Sequence, residues 1–427
     1  MFIDKAPTAL VASLAPMISV RDALDRVLDG LPRLGSEQVA LTGARARVLA
    51  ADIVAPHDVP PFRNSAMDGY AVRSADVATA GAARAVRLRV LETVAAGSVA
   101  SGPVGAGTAI RIMTGAPMPD DADAVVKVED TREAGEAVEI HAAVGAGTNV
   151  RHSGEDVRAG ETVLGPGRML RPADIGLIAS LGVAMVRVVR RARVAIIATG
   201  DELVDVGEPL GPGQIVNSNA YTLAAAVEEA GGEPLLMGIV RDRPELIRAA
   251  FASAITADMV LSTGGVSVGS FDFVRRILGE LGYQERFWKV AQKPGKPLTF
   301  GCCGHTPVFG LPGNPVSSLV CFYLYVLPAL RTMMGLDRVY LPSAAATLAE
   351  TVRKSAGLTE FVRCSLDGPP ENYRARSTGT QSSGVLRSLS VGDALIVGPP
   401  EADELRAGAR VRVVMLAPDA GAAAPPF

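Results

Sequence analysis

Residues 193–199, Arg-Val-Ala-Ile-Ile-Ala-Thr, run straight into Gly200-Asp201-Glu202. An unbroken apolar run of this length, ended by a glycine turn, reads as a strand buried on both faces. C-terminal to it, helical spacing over Ser218–Ala230 gives way to apolar extended residues at Leu235–Val240. A helix at Pro244–Ile255, a strand at Asp258–Leu261 and a helix at Asp272–Leu281 continue the alternation, and another helix opens after Gly313-Asn314-Pro315. Strand and helix in alternation predict a parallel-type sheet covered on both faces, an α/β domain spanning 193–335.

The flanks have a different texture. Ser19 caps a helix with Asp22 three residues on, and Val20, Ala23, Leu24, Val27, Leu28 and Leu31 recur at helical spacing. From about 47 to 150 the chain turns to short β-like runs, among them 85–90, 108–113 and 124–128, broken by Gly and Pro. A helix at Arg171–Leu181 follows, with Pro172 in its first turn. The expectation is an N-terminal region, 16–188, in which a β-rich subdomain is inserted between helical segments. After Pro342, runs at 346–352, 360–365, 372–377, 394–397 and 409–416 predict a small C-terminal β-barrel over 341–417. The tail 418–427, Pro-Asp-Ala-Gly-Ala-Ala-Ala-Pro-Pro-Phe, reads as disordered. The fold class is therefore multidomain, α/β plus β.

Composition narrows the function. The 427 residues carry 42 Lys and Arg against 45 Asp and Glu, a net −3, which argues against a nucleic-acid binder. The four cysteines form no Cys-x-x-Cys and the four histidines show no metal-ligand spacing. The first twenty residues lack the basic start and continuous apolar core of a signal peptide. The apolar run 319–330 falls short of the roughly 20 residues of a membrane span. A soluble, cytoplasmic protein is expected, with no membrane partner.

In open α/β sheets, ligands bind beyond the carboxyl ends of the strands, where loops meet helix N-termini. Three segments fall there: Thr199-Gly200-Asp201-Glu202; Ser262-Thr263-Gly264-Gly265 and the residues to Gly269; and Gly310-Leu311-Pro312-Gly313-Asn314-Pro315-Val316-Ser317-Ser318. Glycines admit an anion to the backbone N–H groups, and hydroxyls add hydrogen bonds. Turn chemistry alone explains any one such loop; three at strand ends in one domain favour a phosphate-bearing or nucleotide-like ligand. Neither Gly-x-Gly-x-x-Gly nor a P-loop follows these strands, which excludes an ordinary dehydrogenase or ATPase. Lys289, Lys293 and Lys296 crowd a segment shaped by Pro294, Gly295 and Pro297. They are either a solvated turn or a set of point charges for an oxyanion, and the prolines favour the second. Glu202, Asp242 and Asp272, with Asp201, suit a magnesium ion that takes few protein carboxylates; helix capping is the plainer alternative for Asp272.

Further motifs then complete a family pattern. Asn-Ser-Ala-Met-Asp-Gly-Tyr-Ala-Val-Arg at 64–73, Ile-Arg-Ile-Met-Thr-Gly-Ala-Pro at 110–117 and Ser-Gly-Glu-Asp at 153–156 precede Ala-Thr-Gly-Asp-Glu-Leu at 198–203. Ser-Thr-Gly-Gly-Val-Ser-Val-Gly at 262–269, Lys-Pro-Gly-Lys-Pro at 293–297 and Gly-Leu-Pro-Gly-Asn-Pro-Val-Ser-Ser at 310–318 follow in order. The chain resembles the MoeA-type molybdopterin molybdenumtransferases, related to the C-terminal part of gephyrin and to the corresponding plant domain.

The resemblance implies a central MoaB/MogA-like domain and an elongated homodimer. It further implies a reaction in which adenylylated molybdopterin and molybdate yield a molybdenum-bearing dithiolene and AMP, assisted by Mg2+. Asp272, Glu202 and Asp242 would organise the metal or the cleavage. Thr263, Gly264, Gly265, Lys289, Lys293, Lys296, Pro312, Gly313, Asn314, Pro315 and Ser317 would hold substrate, together with Asn64, Ser65, Asp68, Thr114 and Asp156. For molybdate it implies Lys293, Lys296, Pro297, Ser317, Arg363 and Ser383, with Ser382 as the neighbouring choice. It also implies an adenylyltransferase upstream and molybdoenzyme maturation factors downstream. One departure stands out: many bacterial members carry Asp where this chain has Arg63. The rival readings are a molybdopterin adenylyltransferase, resembling 193–335 alone, and a non-catalytic molybdopterin-binding scaffold.

Overall fold

The computed structural model describes residues 17–264 and 270–416, with the backbone alone over 270–273. Gly265 and the tail 418–427 lie outside the described residues, as does the side chain of Asp272. The described residues divide into two compact units, one of residues 38–188 and one joining residues 17–37 with those from Val189 on.

In the second of these units the strand Arg193–Thr199 lies inside a six-stranded sheet. The order across the sheet is Glu233–Val240, Arg193–Thr199, Met259–Thr263, Thr306–Leu311, Thr299–Cys303, Tyr283–Trp288. The first four strands are parallel. The last two run antiparallel to their neighbours, so the sheet is mixed rather than parallel throughout. The difference has a local cause: Gly304 takes φ +60° and turns Thr299–Cys303 tightly back into Thr306–Leu311, where a parallel crossover would need a helix. Ala195, Ile197, Val260 and Val308 present one sheet face to Ile247 and Phe251 of the helix Pro244–Ala254. Fully burying a side chain such as Phe251 contributes about 1.5–3 kcal/mol.

The apolar run read as 319–330 belongs to a longer helical segment, Pro315–Met333, interrupted by a π turn at Phe322–Val326. By length and composition it could cross a membrane, but 78% of it is buried in the protein, the mark of a core helix. The helix Val20–Leu28 also belongs to this unit: Arg26 donates to the Arg286 carbonyl at 2.9 Å and Leu34 to that of Met333.

The barrel is fully closed. Strands Thr359–Asp367, Tyr373–Ser377, Ser343–Leu348, Arg410–Met415 and Ala394–Gly398 pair in that order, and the last returns to the first. Leu348, Val362, Cys364, Ala375, Ile396 and Val413 fill it. Outside it, Phe361, Leu389 and Leu395 pack on Val316 and Val320, which sets the barrel against the start of the core helix.

The unit 38–188 has its own six-stranded sheet, running from Ala124–Lys127 at one edge to Thr131–Ala134 at the other, with Tyr70, Leu88, Val126 and Val138 buried in it. A separate core joins Leu49 and Ile53 to Leu164, Ile178 and Val186, from segments on both sides of that sheet.

Candidate functional site

A cavity of about 590 Å³ opens at the carboxyl ends of the parallel strands. Its walls include Thr199, Glu202, Asn217, Asn219, Thr263, Gly264, Pro297, Pro312, Gly313, Asn314 and Pro315, so the three strand-end loops converge there. Asn217 caps the helix Ser218–Glu229, its side chain accepting from the Ala220 N–H at 3.3 Å. Two residues on, Asn219 donates to Thr263 Oγ1 at 2.8 Å and to the Gly313 carbonyl at 2.7 Å, tying two loops together. The signal for Asn219 was present as a second amide side chain beside a helix cap.

Gly264 sits at φ +87°, and a Cβ on it would collide with the Thr199 carbonyl oxygen. Only glycine fits there. Thr199 itself is buried, and its Oγ1 has no hydrogen-bond partner among the described residues. A buried hydroxyl left unpaired costs about 1–3 kcal/mol, so an orphan in a cavity wall points to a ligand that satisfies it.

The acids gather at the rim. Asp242 N–H donates to Asp201 Oδ1 at 3.3 Å, and Arg241 Nη1 donates to the carbonyls of Asp201 and Leu203. Burial, then the charges of Asp201 and Glu202, push the Asp242 carboxyl above the usual carboxylate range. Glu202 lines the cavity, and Asp242 is not among its walls. No three His, Cys, Asp or Glu groups that could hold a metal ion come together among the described residues. A carboxyl raised by two neighbouring acids nonetheless suits a cation completed by substrate oxygens.

The three lysines have separate fates. Lys289, at φ +69°, lays its ammonium 4.0 Å from the ring centre of Trp288. Lys293 is held by Glu360 of the barrel, Nζ to Oε1 at 3.0 Å, with the Glu360 side chain 5% exposed. Lys296 is exposed, and Pro297 next to it lines the cavity.

The barrel contributes a second polar feature. Arg363 is 1% exposed. Its Nε donates to Ser388 Oγ at 3.1 Å and its Nη2 to the carbonyls of Ser382 and Thr380 at 2.9 and 3.4 Å. These partners are neutral, and burial, opposed by the charge of Glu360, pulls the guanidinium below its ordinary pKa. The same loop reaches the cavity: Ser383 Oγ accepts from Asn314 Nδ2 at 2.9 Å, the Val316 N–H donates to the Ser383 carbonyl, and Gly384 lines the wall. Ser317 is buried in the first turn of the core helix. Ser382 offers its carbonyl to Arg363, whereas Ser383 offers its hydroxyl to Asn314.

In the unit 38–188 the remaining site residues form knit loops. Asp68 Oδ1 accepts from the Thr114 N–H at 2.6 Å and its hydroxyl at 2.7 Å, which holds the carboxyl below its usual range. Ser65 Oγ donates to the Met67 carbonyl, and Asn64 Nδ2 to that of Phe62. Asn64 Oδ1 is buried without a partner among the described residues. Asp156 is exposed, and the turn carrying it is organised by Asp58, which accepts from the Ala159 N–H and Ser153 Oγ at 2.9 Å each. Asp58 had no distinguishing motif. Arg63 donates to the Ala122 carbonyl at 3.1 Å.

Comparison with known proteins gives the class first. Residues 195–332 match the family model described as "Probable molybdopterin binding domain". Residues 18–182 match "MoeA N-terminal region (domain I and II)" and residues 345–416 "MoeA C-terminal region (domain IV)". The chain belongs to the MoeA family. Molybdopterin molybdenumtransferase 2 of Mycobacterium tuberculosis is 40% identical over 381 residues, covering 88% of this chain and 94% of that protein. The molybdopterin molybdenumtransferase of Nostoc is 40% identical over 413 residues, covering 94% of each. Among solved structures, the molybdopterin biosynthesis MoeA protein of Pyrococcus horikoshii superimposes with TM-score 0.81 at 33% identity, over 94% of this chain and 100% of that one.

Proposed function

We propose that this chain is a cytoplasmic molybdenumtransferase of molybdenum cofactor biosynthesis. It takes adenylylated molybdopterin and molybdate, leaves molybdenum on the dithiolene, and releases AMP. Family membership and relatives named molybdopterin molybdenumtransferase support the transferase class. The observation that carries the substrate reading is an unsatisfied hydroxyl together with a buried guanidinium on linked loops. Thr199 Oγ1 is orphaned in the cavity wall, and Arg363, one hydrogen-bonded loop away, is a buried cation whose side-chain hydrogen-bond partners are all neutral. A ligand with hydrogen-bonding groups and an oxyanion answers both.

In this reading the cavity formed by Thr199, Thr263, Gly264, Gly313 and Asn314 binds the pterin phosphate. Asn219 fixes the two loops so that their backbone stays open to it. Arg363 and Ser383, with Lys296, Pro297 and Ser317, receive molybdate; Lys293 acts from its Glu360 pair, and Lys289 adds positive charge from its place over Trp288. Glu202 and Asp242, with Asp272, would hold Mg2+, which when bound neutralises phosphate charge during cleavage of the adenylate. Asn64, Ser65, Asp68, Thr114 and Asp156 are assigned to substrate contact in a homodimer. An adenylyltransferase supplies the substrate, and molybdoenzyme maturation factors receive the product.

The test is AMP release from adenylylated molybdopterin and Mg2+, with and without molybdate. Molybdate-dependent release with molybdenum retained on the pterin is the expected result. Adenylylation of free molybdopterin by ATP would instead make the chain an adenylyltransferase, and tight pterin binding without turnover would make it a scaffold.

A further inference from the structure

The loop 293–297 is exposed at Lys293 and Lys296, yet it is pinned from below by a buried chain of hydrogen bonds. Tyr325 OH donates to Gln292 Oε1. Gln292 Nε2 donates to the Pro294 carbonyl at 3.0 Å and to Cys321 Sγ at 3.5 Å. Cys321 Sγ donates in turn to the Gly295 carbonyl at 3.7 Å. Gln292, Cys321 and Tyr325 are all fully buried. The chain ends on two consecutive carbonyls of one loop, Pro294 taken by Gln292 Nε2 and Gly295 by Cys321 Sγ. The fit is close: a Cβ on Gly295, at φ +94°, would stand 2.5 Å from both Cys321 Sγ and Gln292 Nε2.

The helix is built for this contact. Cys321 and Tyr325 lie four residues apart on the core helix; Cys321 immediately precedes the π turn Phe322–Val326 and Tyr325 lies within it. A π turn widens the helix locally and re-aims the side chains on it, and such turns gather at functional sites. The other end of this helix, Pro315, is in the cavity wall, and so is Pro297 at the end of the pinned loop. The Tyr325 hydroxyl also decides which way the Gln292 amide faces. With a donor on Oε1, Nε2 must face the loop; without one the amide is free to turn, setting its oxygen against the Pro294 carbonyl. Burial, then the neighbouring Cys321, push the Tyr325 phenol well above its usual pKa, so it remains a donor at neutral pH.

We propose that Tyr325, Gln292 and Cys321 are positioning residues for the oxyanion-binding loop, fixing the carbonyls of Pro294 and Gly295 so that Lys296 and Pro297 stand at the cavity. The proposal rests on the molybdate reading given above. None of the three touches substrate; they act through the loop.

The experiment pairs kinetics with hydrogen–deuterium exchange on the full chain. In Tyr325→Phe the KM for molybdate rises about tenfold, the loss of roughly one hydrogen bond's worth of placement. The KM for the pterin substrate and kcat change less than about twofold. Amides over 289–298 exchange faster in the same variant. Cys321→Ser keeps a donor for the Gly295 carbonyl and stays near the parent KM, whereas Cys321→Ala follows Tyr325→Phe. Tyr323→Phe, on the same π turn, changes neither. An unaltered molybdate KM with unaltered exchange overturns the proposal, as does a loss that tracks the melting temperature and falls equally on both substrates. If the parent shows no molybdate-dependent turnover, the functional reading fails. The exchange arm then still decides the positioning: faster exchange in Tyr325→Phe and Cys321→Ala but not Cys321→Ser supports it, and uniform exchange overturns it.

Discussion

The loops around the cavity and the loops of the unit 38–188 are built from the same residue types, Gly, Asn, Ser, Thr and Asp, yet they spend their polar groups differently. In the unit 38–188 the polar side chains are mostly used within their own loops, Asp68 on Thr114, Ser65 on Met67, Asp58 on Ala159 and Ser153, with Asn64 Oδ1 the buried exception. Around the cavity, Thr199 Oγ1 is left over, and Arg363 is buried with no carboxylate bonded to it. Loops of the first kind hold a shape. Loops of the second kind carry a standing cost that a ligand removes.

The comparison breaks most readily at Arg363. Arg363→Met removes a buried charge without orphaning an ion-pair partner, which offsets the loss of its bonds to Ser388, Ser382 and Thr380, so the melting temperature stays within a few degrees of the parent's. Molybdate-dependent AMP release falls by about 100-fold or more, on the scale of a lost charge-assisted contact. Turnover and stability falling together would make Arg363 a structural residue. Gly264→Ala comes next. Its Cβ meets the Thr199 carbonyl at a left-handed backbone position, at a cost of about 1–3 kcal/mol. Pterin binding, read by calorimetry, weakens about tenfold or more as the cavity wall shifts.

Thr199→Val sharpens the contrast, because it changes one polar atom for a methyl. Stability is expected to rise by a few tenths to about 1 kcal/mol while ligand affinity falls about three- to tenfold. Loss on both counts would show that the hydroxyl already has a partner. On the knit side, Asp68→Asn weakens the two bonds from Thr114. The unit 38–188 then melts earlier and the Thr114 amide exchanges faster.

The smallest effect is a pH dependence. Asp258 accepts from Arg190 Nη1 and Nη2 at 2.6 Å each and from the Arg193 N–H at 2.8 Å. Burial alone would raise its carboxyl, but these bonds outweigh it and hold the pKa below the usual range. A depressed native pKa gives stability that is complete above the unfolded value, about 4, and is lost as pH falls through the native one. Thermal melts of Asp258→Asn therefore converge with the parent at acid pH and lie below it at neutral pH.

How much of this was legible in the sequence depends on the range of the interaction that decides it. The apolar run 193–199 and the alternation after it predicted the α/β domain because burial on both faces leaves a local pattern. The short strands after Pro342 predicted the barrel, although its closure rests on the pairing of 360–364 with 394–398, which no local pattern shows. The strands Tyr283–Trp288 and Thr299–Cys303 went unread. Their sequences, Tyr-Gln-Glu-Arg-Phe-Trp and Thr-Phe-Gly-Cys-Cys, lack both a continuous apolar run and a clean alternation. At the site, the three glycine loops announced themselves through turn chemistry. Arg363 came only from the family resemblance, and the buried Gln292–Tyr325 pair joins residues 33 positions apart, beyond any local signal.

The pairing of Lys289 with Trp288 has an optical consequence. Trp288 is the one tryptophan of the 427 residues. An ammonium lies 4.0 Å from its ring centre, and the Arg275 guanidinium lies 5.9 Å from it. Emission excited at the red edge of protein absorbance comes from this single ring, at the start of the segment that carries Lys293, Lys296 and Pro297. A cation over an indole face shifts and quenches its emission, so any anion that draws Lys289 away changes the colour and yield of the whole chain's fluorescence. The protein carries its own dye at the mouth of its basic loop, and titrating it with molybdate needs only a cuvette.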